Sequence, residues 1–199
     1  MVKSCKILCV ALALILMLTG CAKQEPVTTE PTTTAQEQPQ ESYSLTLGSK
    51  IPDITVTTAQ GQSIRIYDLL EEKKMVMLNF WFADCIWCIR EFPVMEVAYQ
   101  SYKQDVEILA LSPYDSKETI VAFKQDHSLS FPMGQSGRDL VMGFGVGSYP
   151  TSVVIDREGY ICLIHSGAIT ETQVFKQLFN KFIADDYTLR IYHSINDLL

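Results

Sequence analysis

Histidine, basic charge and long apolar runs are all scarce in this 199-residue chain. The histidines are His127, His165 and His193, and no second CxxC or HxxxH pattern accompanies the single CxxC at Cys85–Cys88. A zinc site would need two further ligands at metal spacing, so this scatter argues against a metal centre. Six cysteines in 22.4 kDa are too few for a disulfide-framework miniprotein. Lys and Arg number 16 against 23 Asp and Glu. Residues 1–20 contain Lys3 and Lys6 and no acid, so a chain without them carries 14 bases against 23 acids, a formal charge of −9. That balance argues against nucleic acid as a partner and against electrostatic attachment to anionic lipid. The longest apolar run, Ile7 to Leu18, falls short of the roughly 20 residues that span a bilayer. Any membrane attachment must come from another kind of anchor.

What is present centres on one stretch. Lys74 to Phe82 is nearly continuous apolar and aromatic sequence, the pattern of a strand covered on both faces. From Ile89 to Gln100 apolar Ile89, Phe92, Val97 and Tyr99 interleave with Arg90, Glu91 and Glu96, the pattern of a helix. Cys85-Ile86-Trp87-Cys88 lies at the junction. Half of a zinc site and a purely structural disulfide are the alternatives; where a strand turns into a helix the redox pair outweighs both. The unpaired amides and positive dipole end of a helix N-terminus favour a thiolate, the species that attacks a disulfide.

Around this centre the chain divides readily. Residues 1–20 have a basic start, a short apolar run and the closing Leu18-Thr19-Gly20-Cys21, which resembles a bacterial lipobox. This predicts a cleaved signal peptide, lipid on Cys21 and a two-chain anchor that holds stably. Residues 21–43, rich in Gln, Glu, Thr and Pro, predict a disordered tether. A folded domain is expected over 44–184. Its elements would be a hairpin over Ile54–Ile66 turning at Gly61, a short helical turn at Tyr67–Glu71, the central strand, and the CxxC helix to Tyr102 with Pro93 as a kink. Then follow a strand at Val106–Ser112, a helix at Ser116–Asp126 with Ser116 as N-cap, an extended Phe131-Pro132-Met133, and a brief helix at Arg138–Phe144. The strands Ser152–Ile155 and Tyr160–His165 form a second hairpin, and a helix over Thr170–Ile183 places Val174, Leu178, Phe179 and Phe182 on one face. The Gly143–Gly147 run lacks the flanking strand and helix of a nucleotide loop. Residues 185–199 form a tail too apolar for disorder, expected to pack back on the domain.

This order resembles the thioredoxin fold, and more narrowly the membrane-anchored thioredoxin-like proteins of the TlpA/ResA type, over roughly residues 45–184. Three features carry the resemblance. Asn79-Phe80-Trp81 with Cys85, Cys88 and Arg90-Glu91-Phe92-Pro93 is similar to the family's NFW…CxxC…E-x-P block. Ile54–Leu69 resembles its leading hairpin, and Pro150–Gly159 its PTT-x-x-ID-x-x-G strand. The resemblance implies an α/β thioredoxin fold, a central mixed β-sheet flanked by helices with an N-terminal β-hairpin extension. It implies Cys85 as the attacking thiol, Cys88 as the resolving thiol, and Pro150 as a cis-proline that frees the Tyr149 backbone to pair with substrate. Trp87 would face substrate, and Tyr149 would narrow the groove or pack beside Trp87.

Some positions depart from the family pattern. Ile86-Trp87 stands where relatives carry a proline or a glutamate, which leaves the potential open. Asn79 stands where thioredoxins carry a buried aspartate, so that proton acceptor is missing. Asp84, beside Cys85, would raise its pKa. A peroxidase of this fold would need threonine three residues before its cysteine, where this chain has Phe82. Cys162 reads as an inert buried thiol and His165 as a strand-end polar residue.

Taken together, these readings imply a lipid-anchored, extracytoplasmic thiol–disulfide oxidoreductase. It would reduce disulfides in exported proteins through Cys85 and Cys88, be recharged by a membrane electron donor, and need no metal or organic cofactor. A disulfide-introducing oxidase of the same fold, or a non-enzymatic binding lipoprotein, would share these features.

Overall fold

The computed structural model describes residues 45–184 and 191–198. The signal segment, Cys21 and the tether lie outside the described residues. The chain folds as β1 (Thr55–Thr58), β2 (Ser63–Arg65), α1 (Ile66–Glu72), β3 (Met75–Phe80), α2 (Ile86–Tyr102), β4 (Val106–Ser112), α3 (Lys117–Asp126), β5 (Met133–Gln135), α4 (Arg138–Gly143), β6 (Thr151–Asp156), β7 (Ile161–Ser166), α5 (Thr172–Ile183) and a short 3-10 turn at Ile195–Leu198. Seven strands form one mixed sheet in the order β2-β1-β5-β4-β3-β6-β7. β3 runs parallel to β4 and antiparallel to β6, and the N-terminal hairpin joins the sheet through β5.

Every residue of β3 is buried, because both faces of the sheet are covered. The strand's period of two splits its side chains between two cores. Met75 and Met77 face Phe92 and Met95 of α2, Phe123 of α3 and Phe175 and Phe179 of α5. Val76, Leu78 and Phe80 face Ile66 and Leu70 of α1 and Phe144 beyond α4. The expected strand over 74–82 is shorter at both ends. Past Phe80 the Trp81 amide bonds the Leu111 carbonyl (3.2 Å), the Ala83 amide the Asp115 carboxylate (2.8 Å), and the Cys85 amide the Phe82 carbonyl (3.1 Å). These bonds turn the chain out of the sheet and into α2.

The remaining elements of the described residues form with local corrections: the extended segment expected at Phe131-Pro132-Met133 is displaced to β5 at Met133–Gln135. Ser116 caps α3, accepting from the Thr119 amide (3.2 Å). Val121 is only half-buried, whereas Ile120 and Phe123 are core. In α5 the inner face is Phe175, Leu178, Phe179 and Phe182; Val174 stands at its margin. α2 continues across Pro93, so the proline costs one hydrogen bond without ending the helix. From the tail, Tyr192 donates its amide to the Cys162 carbonyl (2.9 Å) and sets its ring 5.8 Å from Phe182.

Candidate active site

Cys85 is the N-cap of α2 and bonds Cys88 in a disulfide. Two residues cannot be bridged at this separation unless the chain turns, and the first turn of a helix supplies that turn. The Cys88 amide donates to the Cys85 sulfur at 3.2 Å, so an unpaired amide of the helix end points at the atom that would carry thiolate charge. Cys85 retains 6% exposure and Cys88 none, which makes Cys85 the sulfur an outside group can reach.

The peptide bond Tyr149–Pro150 is cis, as the family pattern implies. Phe80 is in register with Thr151, so Pro150 comes to the same sheet edge as the β3–α2 turn. The Pro150 carbonyl is taken by the Gly167 amide (2.9 Å), whereas the Tyr149 N–H and C=O make no hydrogen bond among the described residues. Trp87 is half-exposed at 51%, with the Arg90 guanidinium 4.7 Å above its ring. Tyr149 does not pack beside Trp87. Its ring lies 5.4 Å from Phe82 and 5.7 Å from Tyr114, on the other flank of the turn.

Two polar residues support the site: Asp115, which sequence reasoning passed over, and Glu91, which it quoted only within the family block. Asp115 accepts from the Ser112 hydroxyl (2.7 Å) and the Ala83 amide (2.8 Å), and so ties the cysteine turn to the end of β4. Glu91 is fully buried, one helical turn beyond Cys88 on the same face of α2. Its carboxylate accepts from the Ile169 amide (2.9 Å) and from the Asn79 side-chain amide (3.0 Å). Asn79 donates also to Ser152 (3.0 Å), its cross-strand partner, while its own carbonyl oxygen is buried without a partner. Burial pushes the Glu91 carboxyl up to about 7, against the opposing pull of the Ile169 and Asn79 hydrogen bonds. The aspartate-type acceptor is missing at Asn79, as the sequence indicates, and the Asn79 side chain instead donates to the buried Glu91 carboxylate of α2. In the fold Cys88, Glu91 and Met95 fall three and four residues apart along the buried stripe of α2.

The remaining singled-out side chains are structural. Cys162 is buried and donates to Asp156 at 3.1 Å, and burial with that carboxylate pushes its thiol well above the ordinary range. Burial holds the His165 imidazole below its usual value. A cleft of about 460 Å³ lies between β1, β5 and α4, and neither cysteine nor Pro150 lines it.

A vicinal cysteine pair capping a helix on a mixed sheet, with a cis-proline at the same edge, defines a thiol–disulfide oxidoreductase of the thioredoxin fold. The AhpC/TSA family profile matches residues 47–164, and the chain belongs to that family. It is 35% identical over 129 residues to the thiol-disulfide oxidoreductase ResA of Halalkalibacterium halodurans, covering 64% of this chain and 72% of the relative. With ResA of Geobacillus thermodenitrificans the identity is 34% over 140 residues, 69% of this chain and 79% of the relative. Among solved structures, a thiol:disulfide interchange protein DsbE, designated putative, from Chlorobium tepidum superposes with a TM-score of 0.62 at 25% identity, over 71% of this chain and all of that one.

Proposed function

We propose that this oxidoreductase works outside the cytoplasm, held to the membrane by lipid on Cys21, and reduces disulfides in exported proteins. The observation that carries the chemistry is the Cys85 sulfur at the α2 N-cap, accepting the Cys88 amide, on the sheet edge that bears Pro150. In the reduced protein the Cys85 thiolate attacks one sulfur of a substrate disulfide. A mixed disulfide forms, and the displaced substrate thiolate takes up a proton. Cys88, giving its proton to Glu91, then attacks the Cys85 sulfur and expels the second substrate thiolate, which is protonated in turn. Two electrons have passed to the substrate and the protein is left with a Cys85–Cys88 disulfide. A dithiol of a membrane electron donor reverses that bond by the same two exchanges. The free Tyr149 backbone serves as the pairing edge for the substrate chain and Trp87 as part of its contact surface.

The export signal and Leu18-Thr19-Gly20-Cys21 support the location; the reducing direction is supported by the resemblance to the TlpA/ResA type. Two measurements test the reading. Cys88→Ser removes the resolving thiol, so mixed disulfides through Cys85 accumulate in cells; capture of no partner refutes the proposal. The reduction potential of the couple decides the direction. A value near the thioredoxin end, about −270 mV, fits a reductant, and one near the DsbA end, about −120 mV, means that the protein inserts disulfides.

A further inference from the structure

Beside the cysteine turn, Phe82, Tyr114 and Tyr149 form a three-ring cluster with centroid separations of 5.4 to 5.7 Å. The Tyr149 hydroxyl donates to that of Tyr114 at 3.3 Å, which fixes the two phenols against each other. Tyr114 is 70% exposed, and its ring packs on Phe82, three residues before Cys85. Two carboxylates border the same turn. Asp84 directly precedes Cys85, is exposed, and has no hydrogen bond or ion pair among the described residues. Asp115 spends one oxygen on Ala83 and Ser112 and leaves the other unbonded. Of the cations nearest in sequence, Arg90 is stacked on Trp87 and Lys117 lines the cleft between β1 and α4, and neither forms an ion pair with Asp84 or Asp115 among the described residues. Over residues 45–184 the sequence has 16 Asp and Glu against 12 Lys and Arg.

Ring faces and uncompensated carboxylates share one preferred partner, a cation on a flexible stem. We infer that this face selects substrate disulfides whose cysteine is flanked by Lys or Arg. The ammonium or guanidinium group lies over the Tyr114–Tyr149 rings within reach of Asp84 and Asp115, and the aliphatic stem covers Phe82. An acidic flank is disfavoured by both carboxylates, and an apolar flank gains the rings but not the charge. This selection rests on the oxidoreductase reading above and narrows its substrate class to basic polypeptide segments.

The test uses the reduced protein and three peptide disulfides that differ only in the residue beside cysteine: Lys, Leu or Glu. Their second-order exchange rates are read at low and at high salt. The expected order is Lys over Leu over Glu, with Lys about fivefold above Leu at low ionic strength and the gap narrowing at high salt as the carboxylates are screened. Tyr114→Leu and Asp84→Asn each move the Lys-to-Leu ratio toward one. A Leu peptide that reacts as fast as the Lys peptide, or an order insensitive to salt and to both variants, overturns the selection and leaves the redox function standing. If no peptide reacts while dithiothreitol still reduces the Cys85–Cys88 bond, the oxidoreductase reading falls and takes this proposal with it.

Discussion

Glu91→Gln in the oxidised protein isolates one buried proton, because the bonded cysteines do not titrate. In an unfolded chain this carboxyl titrates at an ordinary 4.5; in the fold burial moves it to about 7. Between those values the folded state holds a proton that the unfolded state has released, so the contribution of Glu91 is full at low pH and is lost as pH rises through about 7. At about 1.4 kcal/mol per unit of pH, the span amounts to about 3 kcal/mol. Gln keeps the shape and stays neutral, and its carbonyl can still accept from Ile169. Its NH2 would face the Asn79 amide, which can rotate to present the carbonyl oxygen that now lacks a partner. Urea denaturation of the oxidised protein and variant from pH 4.5 to 8.5 measures the difference directly, and other titrating groups cancel. The variant should gain about 3 kcal/mol on the wild type across that range, with the change centred between the two titrations. Parallel stability curves would falsify the claim that burial, rather than hydrogen bonding, governs this carboxyl. In the reduced variant, the pH inflection near 7 in the resolving step should disappear as well.

Three further outcomes follow from packing and accessibility. In the folded, reduced protein at pH 8, iodoacetamide should modify Cys85 and leave Cys162 untouched by mass spectrometry, since burial and Asp156 both disfavour the Cys162 thiolate; comparable labelling of the two refutes this. Gly134→Ala drives a methyl into the Thr57 carbonyl oxygen, where β5 pairs with β1. The hairpin must shift, at a cost of about 2 kcal/mol or more in urea denaturation, and a loss near zero would mean the edge yields freely. Phe175→Ala, which empties a fully buried site between α5 and the sheet, should cost about 3–5 kcal/mol, whereas Val174→Ala should cost much less.

The sheet was legible wherever burial on both faces made a strand continuously apolar. β4 falls on its expected residues, and β3 and β6 differ only at their ends. α3 was legible from its cap, because the Ser116 hydroxyl needs only the Thr119 amide three residues on. In α5 the face was found but its edge misplaced by one residue, because periodicity fixes a stripe and the neighbouring helix decides its width. α2 packs against α5 over Tyr102 and Phe179, 5.5 Å apart, and draws Phe175 inward with them. Of the site, the cysteine pair was read from spacing, and Pro150 from resemblance.

Asp115 was not read, Glu91 was read only as part of the family block and not as a buried group, and the reason is shared. A charged residue beside another, as in Arg90-Glu91, looks like the solvated side of a helix. It becomes a buried proton site only through the Ile169 amide, 78 residues away, and the Asn79 amide on β3. Local chemistry in the sequence therefore determined the strand–CxxC–helix junction, the caps and the apolar faces, since each depends on neighbours within a few residues. Tertiary structure alone decided which carboxylate is buried beside Cys88, which rings gather at the turn and which edge Pro150 meets. Those outcomes depend on desolvation and register between segments distant along the chain, and neither is expressed in any single stretch of sequence.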